Sequence, residues 1–262
     1  MVLRADGISM RFGGYLALDN VSCEIAAQRI HALIGPNGAG KTTFFNLVTG
    51  VLAADAGRIV FEGQALDESR PSRRTVRGVA RTFQNIRLFP HLTVLETVMI
   101  GEHCRFYPSV WKALGQAVLQ RPFGEAQAER TMRESALELL EFLGLADQRD
   151  AKASDLPYGD QRKLEMARAL ATRPRLLLLD EPAAGMNPHE TEEITHLIGE
   201  LRDRGGYTIL VIEHDMGLVE GISDRVIALD HGIKIAEGSF DEVATNPSVV
   251  EAYLGLRAAA AE

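Results

Sequence analysis

The 262-residue sequence has little cysteine, no long apolar run and no excess of basic residues. Its two cysteines, Cys23 and Cys104, are too few for a disulfide framework or a thiolate zinc site, so we interpret both as core or surface residues. The leucine run 176–179 is far shorter than the roughly 20 apolar residues that span a bilayer. The formal net charge of −8 argues against the basic surface that nucleic-acid binding requires, and we expect no nucleic-acid partner.

Segment 1–14 lacks the apolar core and the cleavage site of a signal peptide. We therefore expect a cytoplasmic chain that reaches a membrane only through a partner. Hydrophobic residues make up 46% of the sequence, which is enough for a globular protein to bury a core.

The periodicity of the sequence changes twice along the chain. Short strand patterns fill the first third, helical periodicity fills residues 92–145, and strands then alternate with helices. This order predicts an α/β domain that a helical insertion interrupts, with a break near Arg121-Pro122 and Gly124. Residues 225–238 predict a hairpin that turns at residues 230–232.

A phosphate-binding loop is the strongest motif. Residues 35–42 match G-x-x-x-x-G-K-[ST] in full, between a strand pattern and a helix pattern. Its glycines let backbone N–H groups form an anion nest, Lys41 would reach the β- and γ-phosphates, and Thr42 would hold Mg²⁺. The predicted nucleotide-binding set here is Gly35, Pro36, Asn37, Gly38, Ala39, Gly40, Lys41, Thr42 and Thr43.

Two carboxylates end the leucine-rich strand pattern. Asp180 and Glu181 would lie at the carboxyl edge of a parallel sheet, where such sheets bind ligands. Asp180 can complete the Mg²⁺ shell opposite Thr42, and Glu181 can act as general base or position the attacking water. An isolated Asp-Glu pair more often caps a helix or lies in a solvated loop, but the intact phosphate loop favours the functional interpretation.

Gln84 and His214 each end a strand-like segment. The Gln84 amide can contact Mg²⁺ or the attacking water, and His214 can donate a hydrogen bond to the γ-phosphate. Considered alone, Gln84 is better explained as a polar strand end, and His214 is more often a capping or surface residue.

Residues 156–170 predict an amphipathic helix with an unusual start, Leu-Pro-Tyr-Gly-Asp. Leu164, Ala167 and Leu170 would share its buried face. The charged residues that we expect to face water are Arg162, Lys163 and Glu165.

The phosphate loop, Gln84, the stretch 156–170, the pair 180–181 and His214 resemble, in order and spacing, the ATP-binding subunit of an ABC transporter. The resemblance extends from about Ser9 to Gly238. It implies a P-loop ATPase core, with a mixed sheet flanked by helices, an N-terminal antiparallel part and an inserted α-helical subdomain. ATP and Mg²⁺ are the implied cofactors, and Phe12, rather than Tyr15, fits the aromatic residue that stacks on adenine.

The implied organisation is a single ABC ATP-binding domain over residues 1–262. Its nucleotide-binding core would comprise residues 1–88 and 157–240, and its helical subdomain residues 89–156. A C-terminal helix and tail would occupy residues 241–262.

The family's signature motif falls at residues 156–160. The resemblance implies that Tyr158, Gly159 and Asp160 contact ATP held by an opposing subunit. Two departures weaken specific hydrogen bonds: Pro157 and Asp160 replace the usual serine and glutamine, and Asn187 replaces an aspartate in the following loop. We expect two unequal ATP sites if the partner carries a standard signature.

The resemblance narrows to one branch, the LivG-type subunits of branched-chain amino-acid importers, whose relatives carry urea or short amides. It rests on residues 81–96, the long insertion, 156–170, 180–188 and 251–255. A lipopolysaccharide-export ATPase has similar motifs but usually lacks so long an insertion. A second alternative is a soluble ABC protein of translation or DNA repair, but such a protein usually joins two cassettes or carries a coiled coil. A third is a P-loop kinase, which would need an acceptor pocket and lid arginines.

The branch resemblance also implies partners. The chain would form a head-to-tail dimer with an identical or related ATP-binding subunit and bind two transmembrane permease subunits. A periplasmic solute-binding protein would act indirectly, and this chain would lie peripherally at the cytoplasmic face of the inner membrane. We expect the helical block after Gln84 to form a groove that receives a short helix of a permease subunit. The apolar residues proposed to line it are Phe83, Leu88, Phe89 and Trp111.

Overall fold

The computed structural model describes residues 1–66, 70–106 and 122–259, so Trp111 and Arg121 lie outside the described residues. The strands are β1 (Leu3–Phe12), β2 (Tyr15–Ile25), β3 (Ile30–Ile34), β4 (Ala56–Phe61), β5 (Gln64–Ala65), β6 (Val79–Arg81), β7 (Leu176–Asp180), β8 (Thr208–Ile212), β9 (Arg225–Asp230) and β10 (Ile233–Gly238). The α-helices are α1 (Lys41–Thr49), α2 (Pro71–Val76), α3 (Val94–Phe106), α4 (Pro122–Phe142), α5 (Tyr158–Ala171), α6 (Pro188–Asp203), α7 (Met216–Ile222), α8 (Phe240–Ala244) and α9 (Pro247–Ala259). Short 3₁₀ turns occupy Ala146–Gln148 and Ala153–Asp155.

The chain forms two compact units. The first comprises Met1–Arg74 and Arg175–Glu262, and the second comprises Thr75–Pro174. The second unit therefore begins before Gln84 and includes α5, so it is wider than the helical subdomain predicted over residues 89–156. The predicted functional subdivision of the chain stays a prediction.

An antiparallel sheet forms the N-terminal part of the first unit, with strand order β2-β1-β4-β5. Leu3 and Ala5 of β1 are buried, as are Ile8 and Met10, because alternate side chains of a strand share one face. A register shift between Ala5 and Ile8 moves this alternation by one residue and keeps both pairs on the buried face. This sheet matches the N-terminal antiparallel part that the sequence predicted.

A second sheet carries the functional residues. Within the first unit its order is β10-β9-β3-β8-β7, with β3, β7, β8 and β9 parallel and β10 antiparallel to β9. Every residue of β3, β7 and β8 is buried, which explains why these strands are mostly apolar in the sequence. The mixed sheet confirms the predicted α/β fold.

The predicted β9–β10 hairpin is confirmed. Asp230 pairs with Ile233, which leaves His231 and Gly232 as a two-residue turn. Both turn residues have positive φ, 44° and 79°, as a type I′ hairpin requires.

Three neighbouring strands end at one edge of the second sheet. The phosphate loop follows β3, Asp180 ends β7 with Glu181 next, and His214 lies two residues beyond β8. Because β8 pairs with both β3 and β7 in parallel, these segments emerge side by side. The topology thus brings separate motifs of the sequence together in the first unit.

The second unit is built on α3, α4 and α5. Gly101 lets α3 approach α5 closely, since a Cβ at this position would lie 2.3 Å from the Arg168 carbonyl oxygen. The predicted break at Gly124 is wrong. Gly124 lies inside α4, whose first residue is Pro122, a position where a missing N–H leaves no helical bond unmade. In the described ranges, no helix is long and apolar enough to cross a membrane.

Candidate active site

The phosphate loop requires glycine at both of its ends. Gly35 has φ 144°, and a Cβ there would lie 2.1 Å from the Leu229 carbonyl oxygen. Gly40 has φ 100°, and a Cβ would lie 2.6 Å from the Ala17 carbonyl oxygen. Gly40 also precedes α1 without a side-chain cap, so the first N–H groups of this helix remain available to an anion.

The Lys41 side chain folds back into the phosphate loop. Its buried Nζ donates to the carbonyl oxygens of Gly35, at 2.6 Å, and Pro36, at 2.9 Å. Burial lowers the Lys41 pKa, and the negative charges of Glu181 and Asp180 oppose that shift. The ammonium therefore lies within electrostatic reach of both predicted carboxylates.

Glu181 has a strained backbone. Its φ is 49°, in the left-handed region that non-glycine residues rarely adopt. Its N–H donates to the Ile212 carbonyl oxygen of β8 at 2.9 Å, which holds the residue in this conformation. The side chain is largely shielded from solvent, and its Oε1 lies 3.0 Å from His214 Nε2.

His214 thus contacts Glu181, a contact that the sequence did not predict. The histidine is partly exposed, and its neighbour Asp215 caps α7 by accepting N–H bonds from Gly217 and Leu218. A carboxylate and an imidazole in hydrogen-bond contact beside an anion-binding loop can position and deprotonate a water.

The residues predicted for Mg²⁺ supply the right donor atoms. Thr42 is exposed in the first turn of α1, and Asp180 is a buried carboxylate at the end of β7. Among the residues that the structure describes, no group of three or more His, Cys, Asp or Glu could hold a metal. Mg²⁺ binds through one or two protein oxygens together with water and substrate phosphates, and a threonine hydroxyl and an aspartate carboxylate are oxygens of this kind.

Two exposed aromatic residues flank the β1–β2 turn. Phe12 is 47% exposed and Tyr15 is 55% exposed, and the two are paired in register. The Tyr15 hydroxyl donates to the Gly38 carbonyl oxygen at 3.3 Å, so Tyr15 is the aromatic residue in contact with the phosphate loop. Stacking of Phe12 on adenine stays a prediction.

Tyr253 is a site residue to which sequence reasoning assigned no role. It lies on α9, and its hydroxyl accepts the Gly35 N–H at 2.8 Å. Burial raises its pKa. A cavity of about 670 Å³ separates part of the loop from α9, with Asn37, His231 and Glu251 in its lining. The C-terminal helix therefore supports the phosphate loop from a position 218 residues along the chain.

Two α5 residues that were predicted to face water are buried, so that prediction is wrong for them. Arg162 is only 4% exposed and Glu165 only 1%. β6 ends at Arg81, so Gln84 does not end a strand as predicted. The irregular segment that follows β6 contacts α5 and covers these two side chains. Backbone groups of an irregular segment have no partners in a helix or strand, and side chains of α5 bind them instead.

Arg162 joins this segment to the start of α5. Its guanidinium donates to the carbonyl oxygens of Phe83, at 2.9 Å, and Gln84, at 2.6 Å, and to the Tyr158 hydroxyl at 2.8 Å. Glu165 accepts the Arg87 N–H at 3.3 Å, and burial raises the Glu165 pKa. One buried arginine thus fixes the backbone of Gln84 relative to Tyr158.

Replacing Arg162 with methionine should therefore destabilise the protein. The change leaves the Phe83 and Gln84 carbonyls without this donor and removes a cation near the buried Glu165. The free energy of unfolding should therefore fall by about 3 kcal/mol. Urea denaturation measures it. Lys163→Met is the matched control on the next residue of α5, and a change within about 0.5 kcal/mol is expected there. Equal stabilities for the two variants would contradict the role of Arg162.

The other signature residues lie at the start of α5. Tyr158 is exposed, Gly159 is buried, and Asp160 accepts the Gln148 side-chain N–H at 2.9 Å. Pro157 precedes the helix without a side-chain cap, while its carbonyl oxygen accepts the Gln161 N–H at 2.9 Å.

Asn187 keeps the helix-capping function that an aspartate would have. Its side chain accepts the Glu190 N–H at 3.0 Å, and the Glu190 carboxylate accepts the Asn187 N–H at 2.9 Å. This reciprocal pair is a capping box at the start of α6. Unequal ATP sites stay a prediction.

The predicted site residues divide between the two units. The first unit brings the phosphate loop, Asp180, Glu181 and His214 to one sheet edge. Gln84, Tyr158, Gly159 and Asp160 belong to the second unit, together with Phe83, Leu88 and the exposed Phe89. Cys23 is buried, with its pKa raised to about 12, which fits a core residue, whereas the Cys104 side chain lies outside the described residues.

Comparisons with known proteins agree with this arrangement. The family model "ABC transporter" matches residues 18–184, and the model "Branched-chain amino acid ATP-binding cassette transporter" matches residues 234–259. The chain is 46% identical to the high-affinity branched-chain amino acid transport ATP-binding protein LivG of Escherichia coli K12, over 97% of this chain and 98% of the relative. It is 40% identical to BraF of Pseudomonas aeruginosa, a protein of the same description, with the same coverage.

A solved structure gives the same result. An ATP-binding cassette of an ABC transporter in its ADP conformation superposes with a TM-score of 0.82 at 36% identity, covering 97% of this chain and 98% of that one. The sequence resemblance is confirmed: the chain belongs to the ABC transporter family, as one of its ATP-hydrolysing, ATP-binding subunits.

Proposed function

We propose that this chain hydrolyses ATP to drive import of branched-chain amino acids through partner permease subunits. The observation that carries the catalytic part is the 3.0 Å contact between Glu181 and His214 beside a complete phosphate loop. The solute follows from the relatives, which are branched-chain amino acid transport proteins over nearly their whole length. The similarity of residues 234–259 to the branched-chain family model favours this import function over lipopolysaccharide export.

Nucleotide binding would begin at the phosphate loop. Loop N–H groups and the start of α1 would hold the phosphates, and Lys41 would exchange its bonds to Gly35 and Pro36 for phosphate oxygens. Thr42 and Asp180, with Gln84, would hold Mg²⁺. When bound, this ion neutralises charge that develops on the phosphate oxygens. Phe12 would stack on the adenine.

Hydrolysis would then use the residues at the ends of β7 and β8. Glu181 orients a water in line with the γ-phosphate and accepts its proton as the water oxygen bonds to phosphorus. The bond between the γ-phosphorus and the bridging oxygen breaks, and ADP leaves with the bonding electron pair. His214 holds the Glu181 carboxylate and donates a hydrogen bond toward the γ-phosphate.

A second ATP-binding subunit would complete each site. Tyr158, Gly159 and Asp160 at the start of α5 would face the nucleotide of the opposing subunit, because an uncapped helix start attracts anions. ATP that bridges two chains binds the closed pair preferentially, so its hydrolysis reopens the pair. This chain would lie at the cytoplasmic face of the inner membrane and pass the motion to two transmembrane permease subunits. A periplasmic binding protein would supply the solute to them.

Uptake by cells that lack the gene tests the assignment. Deleting it in its own organism should abolish high-affinity uptake of radiolabelled leucine, isoleucine and valine while leaving urea uptake unchanged. Wild-type protein should restore uptake, and the matched Glu181→Gln protein should not. Unchanged leucine uptake, with purified protein that still hydrolyses ATP, would refute the solute and leave the ATPase assignment intact.

A tagged chain recovered from solubilised membranes tests the partners. Mass spectrometry should find two permease subunits and a second ATP-binding subunit or a second copy of this chain. Recovery of the chain alone would contradict the transport proposal.

A further inference from the structure

Glu213 is a buried acid beside the active site to which the hydrolysis mechanism assigns no role. It follows β8 directly, immediately before His214, and is only 4% exposed. Burial raises its pKa, and the nearby charge of Glu181 raises it further. Burying a carboxylate close to a second carboxylate is unfavourable unless both oxygens are hydrogen-bonded.

The two oxygens of Glu213 bind two different chain segments. Its Oε1 accepts the Ala183 N–H at 2.9 Å, and its Oε2 accepts the His214 N–H at 3.0 Å. Ala183 lies two residues beyond Glu181, in the turn that follows β7. The side chain therefore joins the segment carrying Glu181 to the segment carrying His214.

Glu213 acts together with the backbone bond from Glu181 to Ile212. That N–H bond, 2.9 Å long, holds Glu181 in its left-handed conformation against β8. The Ala183 bond fixes the other end of the same short turn. With both ends attached to β8, the Glu181 and His214 side chains are set at their 3.0 Å contact.

Only a carboxylate of this length can make both contacts. The two acceptor oxygens receive the N–H groups of Ala183 and of residues 214–215, whereas a glutamine amide offers one acceptor oxygen and would oppose a donor to an N–H on its other side. A shorter aspartate would lose reach by one methylene. The chemistry of the position therefore fits a role that depends on both bonds.

We propose that Glu213 is a positioning residue for ATP hydrolysis, which holds Glu181 and His214 at catalytic separation by joining Ala183 to His214; this rests on the proposed function of those two residues. It touches neither the predicted nucleotide contacts of the phosphate loop nor the reacting atoms. Its effect should therefore appear in the chemical step rather than in ATP binding.

The test is steady-state hydrolysis by the purified full-length chain. Glu213→Gln should lower kcat by about 100-fold, because a misplacement of about 1 Å in catalytic groups has that effect. The KM for ATP and the affinity for ATP in calorimetry should stay close to wild type. Unchanged kcat, or a loss of ATP affinity that accounts for the whole defect, would overturn the proposal.

A double variant separates positioning from a merely structural role. If Glu213 acts through Glu181, Glu181→Gln combined with Glu213→Gln should be no slower than Glu181→Gln alone, since residues acting as a unit are not additive. If the kcat losses of the two single variants multiply in the double variant, the proposal is overturned. Glu213→Asp, which keeps the charge, should also lower kcat with unchanged KM, and it provides the measurement if the glutamine variant does not fold. Full activity of the aspartate variant would refute the need for both bonds.

Discussion

Replacing Glu181 with glutamine should leave ATP bound and lower kcat by about 10²–10⁴-fold. The amide is nearly the same size, so it can still hydrogen-bond His214 Nε2, from which the carboxylate lies 3.0 Å away. It cannot accept a proton from the attacking water. The variant also removes a negative charge within electrostatic reach of Lys41, so the nucleotide phosphates meet less repulsion at the site. Calorimetry with ATP and single-turnover phosphate release measure the two effects separately.

Glu220→Gln is the matched control for this change. Glu220 is an exposed glutamate on α7, in the same unit as the site. Its replacement should leave both ATP affinity and kcat at wild-type values. Hydrolysis by the Glu181 variant at the wild-type rate would exclude Glu181 as the base. A loss of ATP binding would instead assign Glu181 to ground-state binding.

The parts of the fold that were predictable follow local chemistry. Strands β7 and β8 are buried on both faces, so they appear in the sequence as continuous apolar runs. The phosphate loop is equally local, because glycine at residues 35 and 40 is dictated by contacts of 2.1 and 2.6 Å that any Cβ would make. The location of Glu181 and His214 at one sheet edge followed from a topological rule, since parallel strands end at one edge.

What the sequence did not predict depends on distant partners. The periodicity of α5 assigns Arg162 and Glu165 to water, yet the irregular segment after β6 covers them and takes their hydrogen bonds. Gln84 follows that three-residue strand instead of ending a longer one. No spacing rule relates Tyr253 to Gly35 or Glu213 to Ala183, because these contacts exist only after the sheet has formed. Periodicity therefore predicts the environment of charged side chains near a motif less well than that of other residues.

Lys41 should be the residue on which ATP affinity depends most. Its ammonium is buried and already directed into the loop by bonds of 2.6 and 2.9 Å to Gly35 and Pro36. Burial lowers its pKa, so the folded protein has placed a cation where water stabilises it poorly and where phosphate oxygens would stabilise it well. Lys41→Ala removes that charge from a largely desolvated contact, which should weaken ATP binding by about 3 kcal/mol, or more than 100-fold in Kd.

Calorimetric titration with ATP measures this loss, and thermal unfolding without nucleotide checks the fold. Lys234→Ala is the matched control, because Lys234 is a half-buried lysine of the same unit that pairs with Glu237 at 2.7 Å, away from the loop. It should bind ATP as the wild type does. Lys41→Arg should not restore affinity, because a planar guanidinium cannot occupy the position that two loop carbonyls fit around a compact ammonium. Wild-type affinity in Lys41→Ala would mean that backbone N–H groups alone hold the phosphates.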